Sequence, residues 1–122
     1  MKRRKFRDLL FKKNFYERLI KLKPDYVEAL IQLANIYTSL GNYEKSLQID
    51  LKVAHLSPLN PLSYYNLACD YSLLGDIDKA ITNIKIAISL GYKDINYMEK
   101  DPDLENLRKD ERYKEIKKLM KK

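Results

Sequence analysis

The stretch NIYTSLGNYEKS, from Asn35 to Ser46, returns 34 residues later as CDYSLLGDIDKA, from Cys69 to Ala80. Tyr37 becomes Tyr71, Leu40 becomes Leu74, Gly41 becomes Gly75 and Lys45 becomes Lys79. The register extends outward, with Pro24 on Pro58, Leu33-Ala34 on Leu67-Ala68, Leu47 on Ile81 and Leu56 on Leu90. A fixed period of this length means that one small supersecondary unit is encoded twice and that its copies stack to bury a core that neither closes alone. No other feature narrows the possible folds as far.

Each unit reads as two helices. Leu30, Leu33, Ala34 and Tyr37 stand at i, i+3, i+4 and i+7 and so line one face of a helix. Gly41 supplies the left-handed residue that ends it, and Asn42 can cap the next helix. Ile49, Val53 and Leu56 carry the second helix to Pro58, which stops it. The second unit repeats the plan with Tyr64, Leu67, Ala68 and Tyr71, then Gly75-Asp76, then Ala80, Ile81, Ile84, Ala87 and Ile88. The chain's three glycines and four prolines are too few to punctuate a sheet of many tight turns. The expected fold class is therefore all-α.

The paired positions Leu30/Tyr64, Leu33-Ala34/Leu67-Ala68, Tyr37/Tyr71, Gly41/Gly75 and Ser46/Ala80, followed by Pro58, resemble the tetratricopeptide repeat family. Ser46 for the usual alanine, Asp50 for the usual aromatic and Tyr92 in place of the next proline depart from it. The resemblance implies a short helical solenoid of antiparallel helix pairs. One 1–122 domain would comprise an N-terminal half-repeat helix over 5–22, repeats over 25–58 and 59–92, and a capping segment over 93–122. The last segment leaves the register and resembles an ending of some bacterial members, with Leu-Gly-Tyr, Asp-Pro-Asp-Leu and a final short helix. Asp101-Pro102 reads as a helix start and Asp110 as another.

The N-terminal helix is apolar over well over half its circumference, through Phe6, Leu9, Leu10, Phe11, Phe15, Tyr16, Leu19, Ile20 and Leu22. A surface helix needs a stripe of only about 100° or somewhat more. The surplus points to a covering surface, and the expectation is a homodimer in which Phe11, Phe15, Leu19 and Leu22 carry the self-association, the alternatives being that the C-terminal cap folds back over this face or that another protein covers it.

Catalytic and metal chemistry lack a frame. His55 has no ligand set at metal spacing, and Cys69 has no base placed beside it, so the first reads as solvated or partly packed and the second as a small, semi-buried packing residue. Asp76/Asp78 and Asp101/Asp103 do not open calcium loops: positions six and twelve from Asp101 are Asn106 and Arg112, and position six from Asp76 is Ile81. No enzyme activity, cofactor or metal is expected. The single cysteine fits a reducing, cytoplasmic compartment. Lys12 and Lys13 interrupt any leader-like apolar run, so the N-terminus reads as mature sequence, with no membrane span.

Charge is uneven. Residues 1–24 hold ten Lys/Arg against two Asp/Glu, whereas the repeats over 25–91 hold four against seven. A basic terminus could contact phosphate, yet no aromatics interleave with the charges. A nucleic-acid-associated protein is thus the alternative to the expected one, a protein- or peptide-binding scaffold module, with a self-associating structural subunit as a third possibility. The resemblance implies a concave groove lined by first helices: Glu28, Ile31, Gln32, Asn35, Thr38 and Ser39 in the first repeat, and Leu62, Tyr65, Asn66, Cys69, Ser72 and Leu73 in the second. Asn35 and Asn66 match the asparagines with which some members clamp a C-terminal carboxylate. Ile31 stands where the first clamp lysine belongs, so tight capture of acidic tails is not expected.

Overall fold

The computed structural model describes residues 2–121; residues 1 and 122, the ends of the expected 1–122 domain, lie outside the described residues. Among these residues the fold is all-α, with eight helices and no strand: α1 (Arg3–Leu22), α2 (Val27–Ser39), α3 (Tyr43–Leu56), α4 (Pro61–Leu73), α5 (Ile77–Ser89), α6 (Ile95–Lys100), α7 (Glu105–Arg108) and α8 (Tyr113–Met120). A 3-10 turn, Pro102–Leu104, precedes α7. The single domain expected from the sequence divides into two compact units, one ending at Leu56 and the other beginning at Ser57. The division falls at the end of the first repeat, beside Pro58, which stops α3.

In the first unit α2 packs against both α1 and α3. The 3.6-residue pattern is realised on α2, where Ala29, Leu30, Leu33, Ala34, Ile36 and Tyr37 are buried; of the stripe expected on α3, Val53 is buried beside Leu47 and Ala54, while Ile49 and Leu56 are half-buried. Ser46, the departure from the usual alanine, is also buried, and its Oγ lies 2.9 Å from Thr38 Oγ1. That contact compensates the cost of placing a hydroxyl in the interface. Asp50, the second departure, is buried too.

In the second unit α4 packs on α5, and the C-terminal segment closes over both. Met98, Leu104, Leu107 and Ile116 from that segment join Ala68, Ala80, Ile84 and Ala87 in one core. Burial of an aliphatic side chain of this size contributes roughly 1.5–3 kcal/mol. The cap is therefore an integral part of the unit, in contrast to α1, none of whose residues is fully buried.

The recurrent glycines close the helices. Gly41 has φ +79° and Gly75 φ +83°. At the first, Asn42 N donates to Tyr37 O at 2.8 Å and Gly41 N to Thr38 O at 3.0 Å; at the second, Asp76 N donates to Tyr71 O at 2.9 Å and Gly75 N to Ser72 O at 3.1 Å. These are Schellman closures. A Cβ at either position would meet nothing within 4 Å, so the requirement for glycine is conformational, worth about 1 kcal/mol. Asp76 then caps α5 by accepting from Lys79 N, and Asn60 caps α4 by accepting from Leu62 N, with Pro61 opening the helix.

The cap contains more structure than the sequence pattern indicated. Asp101 starts the 3-10 turn as expected, its Oδ1 accepting from Asp103 N at 3.0 Å. Helix α6 was not anticipated; Asp94 begins it by accepting from Tyr97 N. Asp110 does not cap α8 itself but accepts from Arg112 N and Nε two residues ahead, and Arg112 goes on to Asp78 at 2.8 Å.

Candidate functional site

The second unit carries an open cleft of about 290 Å³ lined by Leu62, Tyr65, Asn66, Tyr92, Asp94 and Tyr97. Helix α4 supplies the first three, the loop after α5 supplies Tyr92 and Asp94, and α6 supplies Tyr97. Tyr65 and Tyr92 stack with ring centroids 4.6 Å apart, and Tyr97 meets Tyr65 edge-on at 6.1 Å. Both are preferred arrangements for ring quadrupoles. Leu62 and Tyr97 remain about half exposed, at 53% and 54%, and so offer an apolar rim.

Behind the rings lies a buried carboxylate. Asp101 Oδ2 accepts from Tyr65 OH at 2.7 Å and from Cys69 Sγ at 3.8 Å. Burial is the main cause that pushes the Cys69 thiol well above its usual range, with the negative charge of Asp101 adding to it. A thiol so held is protonated and enclosed, which suits packing and not nucleophilic attack. Burial likewise raises the Tyr65 phenol and pushes Tyr92 up to about 12. For Tyr97 the first cause of a raised value is the charge of Asp101, so the field of that carboxylate reaches the cleft mouth.

The expected groove residues fall into two sets. On α2, Glu28, Gln32, Asn35 and Ser39 are exposed, and Ile31 and Thr38 are half-buried. On α4, Leu62 is exposed and Asn66 and Leu73 are half-buried, but Tyr65, Cys69 and Ser72 are buried. Their place in an open lining is corrected: the cap occupies them. Ser72 Oγ accepts from Leu107 N at 3.1 Å and Ser72 O from Asn106 Nδ2 at 2.9 Å, while Asp101 takes Tyr65 and Cys69. All three lie on α4, and the sequence register is silent on the segment that covers them.

Two groups escaped the sequence reading. In the first unit, Tyr37 OH donates a hydrogen bond to Glu17 Oε2, and Lys13 lies 3.4 Å from the other carboxylate oxygen. The bond to Tyr37 is the main cause that lowers the Glu17 carboxyl. Beside it, Ile20 and Lys21 complete a surface recess. In the second, Asp94 and Tyr97 fall outside the 34-residue register and Tyr92 stands at its last position, in place of the proline; the cluster of tyrosines and aspartates between 92 and 103 was its only signal. On α1, Phe11 is 72% and Leu22 81% exposed, Phe15 is exposed and Leu19 half-buried. His55 is exposed on α3. Among the described residues no group of three or more His, Cys, Asp or Glu side chains could hold a metal ion, and no helix is long and apolar enough to cross a membrane.

Comparison with known proteins bears on the same elements. Two tetratricopeptide repeat models match, one over residues 15–48 and the other over residues 62–91, so that together they take in about half of the chain. The first match begins within α1 and ends within α3; the second takes in α4 and α5. A stretch of 76 residues is 33% identical to a chloroplastic protein of Arabidopsis thaliana, which accounts for 60% of this chain and 23% of that relative. The chain thus spans about a quarter of the relative it matches. Tetratricopeptide repeats generally mediate protein–protein interaction and scaffolding, without catalysis of their own. With the helix pairs closed at Gly41 and Gly75 and both repeats matched, the chain belongs to the tetratricopeptide repeat family.

Proposed function

We propose that this protein is a non-catalytic scaffold module that binds a protein or peptide segment, and that the aromatic cleft of its second unit is a main contact. The observation that carries this reading is the cleft itself: an exposed leucine and three clustered tyrosines around a hollow. Amphipathic tyrosines supply contact area at low entropic cost and are enriched where binding energy concentrates. The exposed polar row Glu28, Gln32 and Asn35 on α2 offers hydrogen-bonding groups in the first unit. A reducing, cytoplasmic setting fits a single cysteine kept as a free, buried thiol.

Selection from a random peptide library against the purified chain tests the reading. Selected peptides should bind Leu62→Ser/Tyr97→Ser, which removes the apolar rim without adding charge, at least tenfold more weakly than the unaltered chain. Tyr65→Ala, the natural choice from sequence, is unsuitable because that side chain holds the cap. A library without binders, or binders indifferent to both Leu62 and Tyr97, overturns the proposal. Nucleic-acid association would instead show a steep loss of affinity with salt and no dependence on the cleft.

The exposure of Phe11, Phe15 and Leu22 favours a second surface, on which two chains pair through α1. This helix carries eight Lys/Arg against two Asp/Glu, so pairing sets like charges together. A homodimer of this kind should tighten as salt rises, the reverse of a phosphate contact. Sedimentation equilibrium at low and high salt decides it, with Phe15→Asp/Leu19→Asp as the monomeric control; a 14.5 kDa species under both conditions removes the dimer.

A further inference from the structure

We propose that the cleft formed by Leu62, Tyr65, Asn66, Tyr92, Asp94 and Tyr97 is an anchor pocket for one cationic side chain, arginine or lysine, of a bound peptide. The proposal rests on the peptide-binding reading above and names the chemistry of the partner.

An internal comparison supplies the first argument. The chain covers four of its tyrosine rings with its own lysines: Lys23 lies 5.7 Å from the centroid of Tyr26, Lys45 5.5 Å from Tyr37, Lys79 5.6 Å from Tyr71 and Lys117 5.5 Å from Tyr113. Among the described residues no lysine or arginine lies over Tyr65, Tyr92 or Tyr97, although these three are gathered in one place. Ring faces attract a cation within about 6 Å of the centroid. Tyr65 is buried and stacked on Tyr92, so it is the half-exposed Tyr97 and the partly exposed Tyr92 that keep this attraction for an outside cation.

Charge supplies the second. Asp94 stands exposed at the cleft with one oxygen engaged by Tyr97 N, and it makes no ion pair among the described residues. Asp101, behind Tyr65, is buried and accepts only neutral donors: a phenol, a thiol and a backbone N–H. Its negative field reaches Tyr97. The cation nearest to it, Arg108, has its Nη1 held by the carbonyl oxygens of Met98 and Asp101, and Lys93 and Lys100 are exposed neighbours in sequence. None of these three lines the cleft.

Size supplies the third. About 290 Å³ lies at the small end of ligand pockets and suits one long side chain better than a cofactor. An arginine fits the full set of groups: its plane stacks on a ring, its fork reaches Asp94, and the Asn66 amide oxygen can accept. An anionic side chain would face Asp94 and the Asp101 field, and a purely aliphatic one would leave both uncompensated.

The test uses the full chain and two blocked probes, N-acetyl-Gly-Arg-Gly-amide and the same peptide with citrulline, which is near-isosteric and uncharged. In NMR titrations the arginine probe should shift Leu62, Tyr92 and Tyr97 signals, and the citrulline probe should bind at least tenfold more weakly. Asp94→Asn removes the charge while an asparagine still caps α6, and Tyr97→Leu removes an exposed ring without touching the core; each should weaken the arginine probe about three- to tenfold. Equal binding of the two probes, or an Asp94→Asn variant as good as the unaltered chain, overturns the anchor. In that event library-selected peptides that compete at the cleft without Arg or Lys keep the peptide-binding reading standing, whereas a library with no binders removes that reading itself.

Discussion

Each unit ties its repeat to a segment outside the repeat by a tyrosine–carboxylate hydrogen bond, and the two ties differ in how the charge is balanced. In the first, Tyr37 of α2 donates to Glu17 of α1, which stays partly exposed and has Lys13 beside it. In the second, Tyr65 of α4 donates to Asp101 of the cap, which is buried and has no cation at its side chain among the described residues. A carboxylate near water with an ammonium neighbour is locally neutral and acts as a clasp. A buried carboxylate met only by neutral donors retains a field, and here that field points into an aromatic cleft. Similar chemistry thus makes a fastening in one unit and a candidate recognition site in the other.

The largest contrast should appear in what each flank contributes to stability. Leu107 of the cap is fully buried, whereas Leu19 of α1 is only half-buried. Leu107→Ala should cost about 2–5 kcal/mol through lost burial and the cavity left behind. Leu19→Ala should cost about 1 kcal/mol or less, in proportion to the smaller area removed from water. Urea unfolding followed by signals from each unit separately checks both. A Leu107→Ala loss no larger than that of Leu19→Ala would mean that the cap is not integral to the second unit.

The ties themselves come next. Tyr65→Phe leaves the buried Asp101 Oδ2 with only the weak thiol donor, and should cost about 1–3 kcal/mol. Tyr37→Phe exposes Glu17 to water and leaves Lys13 in place, so about 0.5–1.5 kcal/mol is expected. Equal losses, measured by the same unfolding experiment, would remove the distinction between a balanced and an unbalanced carboxylate.

The repeats were legible because their determinants are local and periodic. Leu30, Leu33, Ala34 and Tyr37 lie on one face by helical geometry alone, and Gly41 and Gly75 at positive φ can be foreseen from their place between two apolar stripes. The ties were not legible, because they join residues 20 and 36 positions apart and ignore the 34-residue register. Tyr37 corresponds to Tyr71 in that register, yet the tyrosine that reaches a carboxylate in the second unit is Tyr65, whose counterpart is Ile31. The burial of Tyr65, Cys69 and Ser72 depends on a cap segment with its own turns, one of which, the Asp94-capped α6, has only six residues and too little periodicity to announce itself. The exposed face of α1 was foreseen from its composition, since nine apolar side chains exceed what one packing face can hide.

The smallest expected effect, and the one most specific to the two environments, is the response to acid. Glu17 lies below its ordinary value of 4.5, chiefly through the Tyr37 hydrogen bond and with help from Lys13, against the opposing effect of burial. The folded first unit then binds fewer protons than the unfolded chain near that pH, so this stabilisation is present above 4.5 and is lost as pH falls through the folded value. Asp103, beside the cleft, lies above its ordinary value of 3.8, first through burial and then through the charges of Asp101 and Asp70. Its sign is opposite: the ionised form is disfavoured in the folded unit, and that penalty disappears as pH falls through the folded value toward 3.8. The second unit also contains a counterexample in the half-buried Asp110, pulled down to about 2 by its hydrogen bonds to Arg112, so residue-level titration is needed to separate them. Carboxyl NMR titration of the full chain should place Glu17 below 4.5 and Asp103 above 3.8. In Tyr37→Phe the Glu17 midpoint should rise while that of Asp103 stays where it was. Added salt should move Glu17 only slightly in the unaltered chain, because screening weakens the Lys13 contribution and leaves the hydrogen bond intact. A Glu17 midpoint that does not move on loss of the Tyr37 hydroxyl would show that the clasp does not set its charge state, and the contrast with Asp101 would lose its first half.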